Sequence, residues 1–123
     1  MVSDVTVKIL EDKGITAAFG IPGAGINPAY KYLGKSSKIK HYLVRYEEAA
    51  VHAADGYFRA NGKMAMVICK PITKAIYCVK DPHSIAKIMR EAFKTARFGR
   101  PGPVLIDLLL DVQVADIEYD IKR

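Results

Sequence analysis

The sequence predicts an α/β fold, a three-layer α/β/α sandwich around a mainly parallel sheet of about five strands. Strand-length apolar runs alternate with longer segments of helical periodicity along all 123 residues, the pattern of a sheet whose strands are joined by helices. At one point the alternation is especially sharp. The apolar run 41–44 stops at Arg45, and an alanine-rich helix starts at once with Glu47. Such a junction puts a carboxylate on the first turn of a helix at the carboxyl edge of a sheet, where open α/β folds hold ligands.

The elements follow in order. Ser3 is expected to cap a first helix with Val5, Ile9 and Leu10 on one face and Gly14 as its stop. Residues 15–19 form a short strand, and the turn at 20–25 (GIPGAG) leads into a short helix over 27–33. A second strand covers 41–44 and a second major helix 47–60, closed by Asn61 and Gly62. Strands are expected at 64–69 and 75–79. Asp81 and Pro82 suit the cap and first position of a helix running to Arg97. A last strand covers 104–108, and an acidic tail follows. No repeat, linker or low-complexity stretch interrupts this single domain, residues 1–123.

Composition narrows the function classes. Half the residues are apolar, too many for a disordered chain, and a domain of this length buries a core without disulfides or metal. No apolar run reaches the roughly eighteen residues of a bilayer span, and no secretory signal opens the sequence. Cys69 and Cys78 read as buried free thiols in a reducing cytoplasm. The net charge is +6, but most cations are scattered singly, and the closest group, 35–40, has no aromatic side chain for base stacking. A solvated basic surface, attractive to small anions, is the expectation. His41, His52 and His83 form no metal-ligand spacing, so no metal site is assigned to this chain.

Four stretches together resemble one family. The run RYEEAAVHAADGYFRA at 45–60 is similar to the glutamate helix of the pyrimidine-binding domain of thiamine-diphosphate enzymes, in the acetolactate synthase and glyoxylate carboligase group. GITAAFGIPGAGINPAY at 14–30 resembles that domain's first strand and turn, and its INPAY ending leans toward glyoxylate carboligase. FKTARFGRPGPVLIDLLLDVQ at 93–113 resembles its last helix and strand, and the tail VQVADIEYD at 112–120 again favours the glyoxylate carboligase branch.

The resemblance implies a cofactor, thiamine diphosphate with magnesium, and a role for named residues. In the family the carboxyl group matching Glu47 hydrogen-bonds a pyrimidine ring nitrogen and starts cofactor activation, and the proline matching Pro22 lies beside the pyrimidine. Glu47 is therefore the expected catalytic residue, and Glu47, Pro22, Gly23 and Ala24 the expected cofactor contacts. By spacing alone, Glu47 and Glu48 read first as charges suited to a helix start, and the glycine turn as a bare turn, since neither GxGxxG nor a Gly-Lys-Ser/Thr ending is present. Two departures bear on substrate. Glyoxylate carboligases usually carry valine where Glu47 stands, and Tyr46 replaces the usual histidine.

The resemblance also exposes a gap. In the family the strand matching 64–69 runs into a Thr/Ser-Gly-Pro-Gly loop near the cofactor, followed by a helix, a strand and a glutamine-bearing segment. Here Cys69 is followed directly by KPITK, so roughly fifty residues are missing, enough for a βα pair. Five residues reach at most ~18 Å, too little for a parallel crossover. The expectation is that the fold is altered at this junction, the fourth strand, 75–79, turning back antiparallel or the chain forming a strand-swapped dimer.

The diphosphate-binding domain, with its magnesium ligands, is absent too. Activity on a small 2-oxo acid, glyoxylate or pyruvate, would need a separate chain bearing that domain. Ala49, Ala50, Ala53, Ala54 and Gly56 allow close backbone approach, consistent with a homodimer through this helix. The competing reading is a catalytically inert, trimmed domain that folds and dimerises.

Overall fold

The computed structural model describes residues 1–68, 77–99 and 104–119, and among these every strand pairing is parallel. Helix α1 (Val2–Asp12) is buried almost all round, through Val2, Ser3, Val5, Thr6, Val7, Ile9 and Leu10. It packs with three other helices, α2 (Asn27–Leu33), α4 (Ile85–Arg97) and α5 (Leu110–Val114), which explains a pattern wider than one apolar stripe. Each of its fully buried aliphatic side chains contributes about 1.5–3 kcal/mol.

Ser3 is not the cap. Met1 occupies that position, and Ser3 is fully buried with its Oγ donating to the Gln113 carbonyl at 2.8 Å. The orphan amide of Val2 is satisfied instead by the Ala115 carbonyl, at 2.8 Å, so tertiary pairing does the work a capping serine does elsewhere. Gly14 and Gly62, with φ of 79° and 71°, end α1 and α3 (Glu47–Asn61) in the left-handed turn that glycine adopts without strain.

Strand β1 (Ala17–Gly20) lies between β2 (Lys40–Leu43) and β3 (Met66–Ile68). Gly20 is in register with Leu43 on one side and Ile68 on the other. The chain thus steps one way from β1 to β2 and back across β1 to β3. Right-handed crossovers then place α2 and α3 on opposite faces. In agreement, α2 packs on α1 and α5, whereas α3 packs on β1 and β3. A helix layer, a parallel sheet and a second helix layer result, as expected.

The remaining strands, β4 (Tyr77–Val79) and β5 (Ile106–Leu108), pair with each other from Tyr77↔Ile106 to Val79↔Leu108. The five strands therefore form a three-stranded and a two-stranded sheet. The junction at 70–74, Cys69 and residues 100–103 lie outside the described residues.

Asp81 does cap the next helical segment, its Oδ1 accepting from the His83 amide at 3.1 Å. The first turn, Pro82–Ser84, is 3₁₀ before α4 begins. Cys78 is exposed, contrary to expectation. Alternation along a three-residue strand turns its neighbour Val79 inward, fully buried, and the thiol outward. Helix α5 sits where only a tail was expected, and Leu109 and Leu110 at its start are exposed.

Candidate functional site at the carboxyl edge of the sheet

Three parallel strands end together at Gly20, Leu43 and Ile68. The order β2-β1-β3 is the start of the doubly wound order 2-1-3-4-5, in which the crevice for ligands opens beyond the carboxyl ends of β1 and β3. Gly20 makes this corner tight. A Cβ there would stand 2.5 Å from the Ile68 carbonyl oxygen and 2.9 Å from the Tyr30 hydroxyl. The Gly20 carbonyl also accepts from the Val44 amide at 3.2 Å, which carries the β1–β2 pairing one residue toward Glu47.

Glu47 is the first residue of α3, directly after extended Tyr46 (φ −155°, ψ 156°). Its side chain is half-buried and has no hydrogen-bond or ion-pair partner among the described residues. The neighbouring Glu48 differs. It is exposed and 3.7 Å from Nε2 of His52. Around Glu47 the surface is unusually apolar, with Tyr42, Leu43, Tyr46 and Val51 all exposed, Leu43 by 71%. Tyr42 stacks on Phe19 of β1 with ring centroids 5.2 Å apart.

Pro22, Gly23 and Ala24 follow β1 and are exposed. A hydrogen bond from the Ile26 amide to the Gly23 carbonyl, 2.9 Å, closes their turn just before α2. The structure thus brings Glu47 and the 22–24 turn to one sheet edge. It does not join them by any hydrogen bond among the described residues.

Sequence reasoning missed two polar groups near this edge. Tyr30 of α2 shares a 3.0 Å hydrogen bond with Nε2 of His41, and burial pushes its phenol up to about 12. Gln113 of α5 is fully buried, and its Nε2 donates to the carbonyls of Gly25 and Leu108, both at 2.9 Å. A single glutamine in a polar tail carries no pattern by which to find it. His52 and His83 lie on the surface beside Glu48 and Asp81.

A cavity of about 310 Å³ opens at the opposite, amino edge, lined in part by Lys13, Ile15, Phe58, Lys63, Met64 and Arg97. Helices α1, α3 and α4 all end there. Each helix end carries about half a negative charge, so cations at this place complement the helices.

Comparison with known proteins agrees with this geometry. A family model described as the N-terminal TPP binding domain of thiamine pyrophosphate enzymes matches residues 1–81. The chain is 33% identical to a glyoxylate carboligase of Escherichia coli O157:H7, with 95% of this chain and 28% of that protein covered. It is 30% identical to an acetolactate synthase large subunit of Corynebacterium glutamicum, covering 92% of this chain and 26% of that one. It is 32% identical to a probable acetolactate synthase large subunit of Methanocaldococcus jannaschii, with 98% and 28% covered.

The chain therefore spans little more than a quarter of the length of these curated relatives. The carboligase alignment runs over 167 positions, although only 95% of 123 residues take part, so about 50 positions of the relative have no counterpart here. Sequence, sheet order and the match over residues 1–81 together establish that the chain belongs to the thiamine pyrophosphate enzymes, as a shortened form of their N-terminal TPP-binding domain.

Proposed function

We propose that this chain forms the pyrimidine-binding half-site of a thiamine-diphosphate-dependent carboligase acting on small 2-oxo acids, glyoxylate or pyruvate, and that a separate diphosphate-binding domain completes it. The observation that carries the reading is Glu47, a half-buried carboxylate without a partner among the described residues, on the first turn of α3 and at the carboxyl edge beside the β1/β3 switch point. A carboxylate at this edge is free to accept a hydrogen bond, and an aminopyrimidine ring would supply a donor. The residues fit that end of the cofactor. For the magnesium end, no group of three His, Cys, Asp or Glu that could hold a metal ion occurs among the described residues.

When bound, thiamine diphosphate supplies the carbanion-stabilising centre of the reaction. This chain's contribution is positional. Glu47 would share a hydrogen bond with the ring nitrogen, while Pro22, Gly23 and Ala24 would line the ring's flank. Tyr42, Leu43 and Tyr46 would exclude water from that contact. The bare outer side of α3, where Val51 is exposed and only Ala50 is buried, is the proposed homodimer face. A cytoplasmic location belongs to the same reading. Among the described residues no helix is long and apolar enough to cross a membrane.

A second reading, a dimerising domain without turnover, is favoured by the roughly 50 relative positions that have no counterpart here. Calorimetry separates the two. With thiamine diphosphate and magnesium, and a diphosphate-domain chain from a relative present, the half-site reading expects saturable binding that Glu47→Gln weakens at least about tenfold, the value of one charge-assisted hydrogen bond. Absence of binding under those conditions, or affinity unchanged in Glu47→Gln, supports the inert domain.

A further inference from the structure

We propose that Gln113 is a positioning residue: a fully buried amide that clamps the Gly20–Gly25 turn to the end of the second sheet and so sets the shape of the candidate site. The geometry stands by itself, and its functional meaning rests on the pyrimidine-site reading above. Gln113 lies 88 residues along the chain from Gly25, yet its Nε2 donates to the Gly25 carbonyl at 2.9 Å. The same nitrogen donates to the Leu108 carbonyl, at the carboxyl end of β5, also at 2.9 Å. The two carbonyl oxygens are thus no further apart than twice 2.9 Å, and one amide joins the turn after β1 to the edge of the other sheet.

The chemistry of the amide makes this a one-way fit. Both acceptors are backbone oxygens with no proton to give, so only an NH₂ group satisfies them together. Turning the amide over would set Oε1 against both oxygens. The orientation therefore follows from the network even though Oε1 is itself buried and unpaired. The glutamine backbone is anchored as firmly. Its carbonyl accepts from Ser3 Oγ at 2.8 Å and its amide donates to the Leu109 carbonyl at 3.0 Å, while the Val2 amide reaches the Ala115 carbonyl next door. Helix α5, only five residues long, is held by α1 and in turn holds the turn. The turn at 20–25 has no other side-chain hydrogen bond among the described residues, so beyond the end of β1 this contact and the Ile26–Gly23 bond are what hold it from within the protein.

Hydrogen exchange followed by NMR on the full chain tests the clamp without any ligand. The Ile26 amide, bonded to the Gly23 carbonyl, reports on the turn. Gln113→Met keeps the volume and removes both donors. The Ile26 amide should then exchange about tenfold faster, while amides in the middle of α4 stay within about threefold of wild type. In Gln113→Glu the protonated acid retains one donor and the carboxylate none, so Ile26 protection should rise as pH falls through the carboxyl range. Wild type gives a check that needs no variant: the Gln113 side-chain NH₂ protons should exchange about 100-fold more slowly than those of free glutamine. Freely exchanging side-chain protons overturn the clamp, as does an unchanged Ile26 amide or a uniform acceleration across the chain. A responsive Ile26 in a chain with no affinity for thiamine diphosphate would retain the clamp and remove the site reading instead.

Discussion

Replacing Gly20 by alanine is the sharpest test of how β1 and β3 meet under the candidate site. The added Cβ would lie 2.5 Å from the Ile68 carbonyl oxygen, 2.7 Å from Ile68 Cβ and 2.9 Å from the Tyr30 hydroxyl. Carbon atoms in good contact sit about 3.5–4.0 Å apart, so the shortfall at Ile68 Cβ is close to 1 Å. Two of the three obstacles belong to the register partner of Gly20 in the parallel pair. They cannot yield without separating the strands, and the third is tethered to His41 at 3.0 Å.

Overpacking of this kind costs about 1–3 kcal/mol and occasionally more. The loss of unfolded-state entropy from Gly to Ala returns about 0.4–1 kcal/mol where φ is permissive, and Gly20 has no positive φ. Because two of the clashes are with the paired strand itself, the upper end of the overpacking range, about 3 kcal/mol, applies; with about 1 kcal/mol returned, a net loss of about 2 kcal/mol is expected. With an unfolding entropy of about 2.1 cal/mol/K per residue over this length, Tm falls by about 8 °C. Gly56→Ala is the control. It sits inside α3 with nothing within 4 Å of an added Cβ, so it should gain about 0.5–1 kcal/mol. Urea titration and thermal melts by circular dichroism measure both. If Gly20→Ala stays within 1 kcal/mol of wild type, the close approach of these strands is wrong.

Three further outcomes follow from the structure. Ser3→Ala removes the only side-chain donor to the Gln113 carbonyl among the described residues, at a fully buried site, and urea unfolding should show a loss of about 1–2 kcal/mol; a change below about 0.3 kcal/mol would contradict that contact. Burial raises the folded-state pKa of Tyr30 from 10.0 to about 12, so the fold prefers the neutral phenol. Its contribution is whole below pH 10.0 and is lost as pH rises toward about 12. Tyr30→Phe should therefore flatten the alkaline limb of the stability profile in that window, and an unchanged limb counts against burial. Val51 is half exposed on the proposed dimer face; Val51→Lys should shift sedimentation toward the monomer by about tenfold or more in dissociation constant, whereas an unaltered association state would move the interface elsewhere.

Much of the fold was legible because each cue is local. Apolar runs of strand length, the alanine-rich segment after Arg45, and Gly14 and Gly62 past helix ends all act over a few residues, and α2 and α3 begin where the sequence places them. Glu47 was legible as a helix-start acid, and the motif around it as a family likeness. What failed to show was whatever depends on distant partners. Ser3 looks like a cap until Ala115 satisfies the helix start in its place. Cys78 looks buried until the short strand turns it outward. Helix α5, at five residues, is too short to display a period.

By itself, then, the sequence determined the family, the α/β alternation and the two segments of the candidate site, since periodicity, turn chemistry and motif are properties of neighbouring residues. Only the tertiary structure decided that the strands divide as three and two, that Glu47 stands half-buried without a partner among the described residues, and that Gln113 ties the glycine turn to β5. Those facts come from burial and from hydrogen bonds across up to 88 residues of chain, where the energy of removing a polar group from water, not the identity of its neighbours in sequence, selects its partner.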